Sequence, residues 1–226
     1  AFDFPGNITL GTFNLIIGEN GSITGTPSAS HMVVQGVAAN SGRLIKRFSS
    51  TQKTFTYPIG YFISPTNYYL PVTINFNNVT SPGYVGVKTR YNVAPSPTWS
   101  APPAATFCFR QYWSIDGDWS QAPSFNFYSA KVSYRGILQQ PYNTNIGSGK
   151  QSIMKARVGD TYWGSWYTFN VSDATNNNPT ASGINLLGNL TFFDPACTNP
   201  NLSITNPSAA CVVDLTNAGI VTDLAG

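Results

Sequence analysis

No stretch of this sequence holds a helical apolar period over three turns. Short runs of β-branched and aromatic residues recur instead, set off by glycine, proline and asparagine. Thr54–Ile59 (TFTYPI), Tyr68–Phe76 (YYLPVTINF), Gly83–Tyr91 (GYVGVKTRY) and Thr106–Ile115 (TFCFRQYWSI) have strand composition. Met32–Val37, Arg43–Phe48, Ser124–Tyr134, Gln151–Val158, Tyr162–Phe169 and Ile184–Phe193 continue the series. This spacing predicts an all-β chain: an antiparallel β-sandwich, jelly-roll or immunoglobulin-like, of roughly eight to ten strands. The proline-rich segment Val93–Ala105 (VAPSPTWSAPPAA) lacks the amide donors of a central strand and reads as a long surface connection. In Thr106–Ile115 the phase Phe107, Phe109, Trp113, Ile115 is expected to face the core.

The sandwich is expected to carry an extended strand arm at each end. Residues 1–35 form the first arm, 36–196 the core and 197–226 a tail that reads as a donor strand. In the first arm, Asn7–Gly25 (NITLGTFNLIIGENGSITG) reads as strand, turn, strand. Ile8 and Leu10 share one phase, and Phe13, Leu15, Ile17 and Ile23 the other, which predicts a bulge or corner near Gly11. A strand this apolar invites another strand to pair with it. In the tail, Val212, Val213, Leu215, Ile220, Val221 and Leu224 cannot be buried by a lone strand. Ile8, Leu10, Phe13, Leu15 and Ile17, with those six tail residues, are therefore the candidate subunit-interface set. Pairing with a neighbouring subunit and folding back onto the chain's own sheet both remain open at this point, as does which end donates.

Charge narrows the function further. Charged residues make up 9% of the chain against 42% hydrophobic, so solubility rests on Asn, Thr, Ser and Gly. That balance is expected of a secreted, cell-surface protein. The net charge of +3 is no nucleic-acid footprint, and the small cluster Arg43, Lys46, Arg47 reads as a strand's solvent face. No apolar run reaches the roughly 18 residues that a membrane helix needs, so no membrane insertion is expected. A chain opening at Ala1 is expected to be a processed, mature form. Cys197 and Cys211 are expected to bridge, closing a short loop worth about 3 kcal/mol; two exposed free thiols are the other reading. Cys108, between two phenylalanines, reads as a buried thiol.

No catalytic constellation, metal site or cofactor is expected. The one histidine, His31, would have to serve any Ser–His–Asp or Cys–His site, and no Gly-x-Ser-x-Gly elbow supports it. It reads as a partly exposed loop residue. Asp116 and Asp118 (IDGDW) suit a hairpin turn better than a calcium site. Trp163, Trp166 and Tyr167, in DTYWGSWY, form the candidate glycan-binding platform of an alternative function, with core packing as the competing role. The six Asn-x-Ser/Thr sequons (Asn7, Asn20, Asn78, Asn170, Asn189, Asn201) follow from composition.

Several motifs resemble those of large secreted surface proteins of Bacteroidetes-type bacteria. TFTYPIG (54–60) followed by YYLPVTI (68–74) is similar to that family's "FTFPVG … Y.PVT" signature. LGTFNLIIGENGSITG (10–25), GRLIKRF (42–48), FRQYWSI (109–115) and GINLLGNLTFFDPA (183–196) resemble further family segments in the same order. The resemblance implies an extracellular β-sandwich module of adhesins and other surface proteins, without known catalytic residues. CTNPNLSITNPSAACVVDLTNAGIV (197–221) resembles the truncated opening of an immunoglobulin-like surface repeat. The expected function is thus a structural subunit of an extracellular filament or pilus-like appendage, a homopolymer built by strand addition or donor-strand exchange. A monomeric adhesin or carbohydrate-binding module with a glycan partner is the alternative.

Overall fold

The computed structural model describes residues 1–36, 41–91, 108–117, 121–133, 152–157, 167–169, 171–172 and 180–193. These residues form twenty strands and no helix. In chain order they are β1 (Phe2–Asp3), β2 (Ile8–Thr9), β3 (Leu15–Ile17), β4 (Ile23–Thr24), β5 (Val33–Gln35), β6 (Leu44–Phe48) and β7 (Thr54–Tyr57). Next come β8 (Ile59–Ile63), β9 (Thr66–Tyr69), β10 (Val72–Phe76), β11 (Val79–Ser81), β12 (Gly83–Tyr91), β13 (Cys108–Asp116) and β14 (Ser124–Phe125). The last are β15 (Tyr128–Val132), β16 (Ser152–Arg157), β17 (Tyr167–Phe169), β18 (Val171–Ser172), β19 (Thr180–Ile184) and β20 (Gly188–Phe193).

Two large sheets make the sandwich. One has seven strands in the order β17-β16-β20-β13-β12-β6-β3, the other five in the order β18-β19-β15-β10-β7. A four-stranded sheet, β2-β5-β8-β9, joins them. Most pairings are antiparallel; β1/β4, β2/β5, β3/β6 and β5/β8 are parallel.

The five-stranded sheet shows why these sequences are strands. Phe55 and Tyr57 on β7, Val72, Ile74 and Phe76 on β10, and Tyr128, Ala130 and Val132 on β15 are buried at every second position. Register stacks Ile74 between Phe55 and Ala130, and Phe76 beside Tyr128. The other face is polar: the Thr56 and Thr73 hydroxyls meet at 2.8 Å, Thr54 donates to Asn75 at 2.8 Å, and exposed Lys131 lies opposite Thr73. Across the sandwich, the Tyr57 hydroxyl donates to the Val85 carbonyl at 2.9 Å and the Trp113 indole to the Leu70 carbonyl at 3.1 Å. Both rings thereby bury fully while their polar atoms stay satisfied. Trp113 and Ile115 face the core as their phase predicts. Phe107 lies outside the described residues.

The strands are shorter and more numerous than the sequence suggests, and two prolines explain part of this. TFTYPI breaks at Pro58, where the chain leaves the five-stranded sheet as β7 and enters the four-stranded sheet as β8. YYLPVTINF breaks at Pro71, where it crosses back from β9 to β10. Each proline has no amide to offer a ladder, yet its carbonyl is used: Pro58 accepts from Val33 and Pro71 from Ser133.

Beyond Leu44, where β6 begins, the ladder on β12 continues through a side chain. The Gln35 amide donates to the Val87 carbonyl at 2.8 Å and accepts from the Thr89 amide at 2.7 Å. Gln35 is buried and acts there as a substitute peptide group.

Candidate subunit-interface site

Two strands of the first 25 residues, β2 and β3, are built into the sheets of the sandwich, while β1 and β4 pair with each other. Ile8 pairs with Val33 on β5, and Ile8 and Leu10 donate backbone hydrogen bonds to the Met32 and Val34 carbonyls. At Gly11 the backbone turns with φ of +59°, a conformation that favours glycine, and this is the corner that the parity change predicts. The chain then joins the seven-stranded sheet as β3, parallel to β6, with Leu15 beside Leu44 and Ile17 beside Lys46.

Leu10 and Ile17 are buried in the common core, and Ile8 and Leu15 pack against it half-buried. Full burial of a side chain of this size contributes about 1.5–3 kcal/mol. Phe13 does the opposite. It is 79% exposed, although it shares the phase of Leu15 and Ile17, because the turn at Gly11 lifts it off the sheet. Ile16, on the outer phase of β3, is 43% exposed. Among the described residues β3 has no second neighbour, so this edge of the seven-stranded sheet is open.

Three groups of the sandwich clamp this arm. The Lys46 ammonium donates to the carbonyls of Gly18, Glu19 and Gly21 at 2.6, 2.7 and 2.8 Å, and lies 5.4 Å from the Phe55 ring centre. Lys46 is fully buried, which corrects its expected place on a solvent face. Three carbonyls on one cation supply what the lost water no longer does. Burial lowers the Lys46 pKa, opposed by the nearby Glu19 carboxylate. Arg47 pairs with Glu19 over the same turn. Gly42 forms the third contact: a Cβ there would lie 1.7 Å from the Phe13 carbonyl oxygen, so only glycine admits this approach. Its amide donates to the Gly11 carbonyl, and the Arg43 amide donates to the Asn14 side chain.

Lys46 and Gln35 escape composition-based reading because both are polar. The period-2 series Leu44, Lys46, Phe48 places the lysine on an apolar phase, and that is the signal that finds it.

The other sequence candidates are placed as follows. Val212, Val213, Leu215, Ile220, Val221 and Leu224, with Cys197 and Cys211, lie outside the described residues, as do Trp163 and Trp166. Tyr167 opens β17, the opposite edge of the seven-stranded sheet. His31 is exposed, with Nδ1 at 2.9 Å from the Ser30 hydroxyl and 3.3 Å from that of Ser28. It lines a shallow cleft of about 310 Å³ with Asp3, Phe4, Thr24, Gly25, Thr26 and Pro27. Asp116 ends β13 buried and pairs with Arg43, the residue just before β6, so it ties the end of β13 to the start of β6 across β12. Asp118 lies outside the described residues. Among the described residues no three His, Cys, Asp or Glu side chains converge on a metal-binding point, and no helix is long and apolar enough to cross a membrane.

No family model matches the chain, and no curated protein or solved structure matches it.

Proposed function

We propose that the protein is a structural subunit of an extracellular, cell-surface filament that polymerises by strand addition. The observation that carries the reading is the edge at β3, which no described strand covers. Natural sheets blunt such edges with lysine, proline or a covering segment. The sequence of β3 is Leu-Ile-Ile, with exposed Ile16 on it and exposed Phe13 just before it. An incoming strand would gain the unused backbone groups of β3 and cover both side chains. The scarcity of charge favours the same reading, since like copies approach with little repulsion. The motif resemblance to secreted bacterial surface modules supports the location. Because the edge and its partner strand are different surfaces, the contact is heterologous and grows into an open fibre.

The test is Ile16→Lys, which places a charge on the exposed face of the edge strand without touching the core. Sedimentation should show the variant arrested as a folded monomer while the unaltered protein pellets as polymer. Equal polymerisation of both would remove β3 as the growing edge. The adhesin alternative rests on Trp163 and Trp166, outside the described residues, and no described feature favours it.

A further inference from the structure

We propose that the segment exchanged between copies is the arm of residues 1–25, which leaves its own seat and docks in the identical seat of a second copy of this chain. The inference rests on the reading above that copies of the chain assemble, and it names a contact distinct from the outer edge of β3, which stays exposed in the exchanged arm. The ladders that join the arm to the sandwich are short and parallel: Ile8–Thr9 against Val33–Val34, and Leu15–Ile17 against Leu44–Lys46. Parallel partners are not linked by a tight hairpin. The arm is tethered instead through residues 26–31 (TPSASH), a polar and largely exposed loop. Extension of that loop redirects the arm without breaking a strand of either large sheet other than β3.

The seat does not tolerate being empty. Without the turn at Gly18–Gly21, the Lys46 ammonium is left buried beside Phe55 with its three carbonyl partners gone. The hollow over Gly42 fits the Phe13 backbone and little else. An arm of the same sequence, from the same chain or another, restores every one of these contacts. Exchange therefore conserves the contacts, and the balance between self-docking and cross-docking shifts with protein concentration. Arm and seat are distinct surfaces, so one-way docking continues from copy to copy.

The experiment places single cysteines at the Glu19–Arg47 contact, with Cys108, Cys197 and Cys211 replaced by serine. Glu19→Cys protein and Arg47→Cys protein are mixed, assembled at high concentration and treated with a short bismaleimide. A covalent product containing one chain of each population, absent from either population alone, is expected. Assembled material without that product overturns the exchange and leaves strand addition at β3 standing. Absence of any assembly removes both. A second arm of the experiment keeps the native cysteines and uses Glu19→Arg and Arg47→Glu. Each variant alone should assemble more slowly than the unaltered protein, and an equimolar mixture should recover, because every cross-chain contact is again an opposite-charge pair. Failure of the mixture to recover contradicts the proposal.

Discussion

The Lys46 ammonium donates to the Gly18 carbonyl at 2.6 Å, joining a central residue of β6 to a turn of the arm. Two further carbonyls, of Glu19 and Gly21, complete the contact. Lys46→Met keeps the stem and removes the charge. The variant should lose about 1.5–3 kcal/mol, the range for hydrogen bonds made by a charged group. Urea unfolding measures the loss, and amide exchange should speed up across residues 15–21 before the sandwich opens. Unchanged exchange there would mean that the ammonium does not hold the arm.

Gly42→Ala tests the seat from the other side. The added methyl meets Phe13 backbone atoms at 1.7 and 2.5 Å, and backbone cannot swing aside as a side chain does. The arm should unlatch while the five-stranded sheet stays folded, at a cost of about 1–3 kcal/mol typical of overpacking. Protease accessibility of residues 7–25 reports it. A variant as resistant as the unaltered protein counts against the close contact.

Gln35→Met removes the substitute peptide group from β12. The Val87 carbonyl and Thr89 amide would then lie buried without that partner, costing about 1–3 kcal/mol. A fall in melting temperature is expected with the fold retained. An unshifted melting temperature would show that another group replaces the amide.

What the sequence disclosed followed from period. In Thr54–Tyr57 and Val72–Phe76 alternate residues enter the core, so the pattern of the sequence and the pattern of burial coincide. Pro58 and Pro71 lie inside segments whose composition reads as single strands, and their role as corners between sheets depends on which sheet each flanking strand joins, which no local signal carries. The corner at Gly11 was legible from parity; the exposure of Phe13 was not, because it depends on how far the turn lifts the chain. The parallel partners of β2 and β3 lie far along the sequence, and strand composition does not specify them. Lys46 was hidden by its charge, since its solvation comes from the turn that follows β3, distant in sequence.

Alkaline pH should expose the buried phenols. Burial raises the Tyr57 pKa well above 10, raises that of Tyr128 likewise, and pushes Tyr69 up to about 12. Each folded value exceeds the unfolded one, so the folded state holds its protons more tightly. The stability they contribute is complete below about pH 10 and is lost as pH rises through that value toward the folded pKa values. Absorbance at the phenolate band should show these residues ionising together with unfolding. Tyr57→Phe should soften the alkaline decline, while losing about 1 kcal/mol at neutral pH from the bond to the Val85 carbonyl. An alkaline decline of unchanged steepness would contradict this assignment.

Addition of one copy of this chain to another through a strand edge would build a fibre. Negative-stain electron microscopy of the purified full chain, across a concentration series, addresses it most directly. Unbranched fibres that lengthen with concentration are predicted. A folded, monodisperse monomer at every concentration would contradict the account.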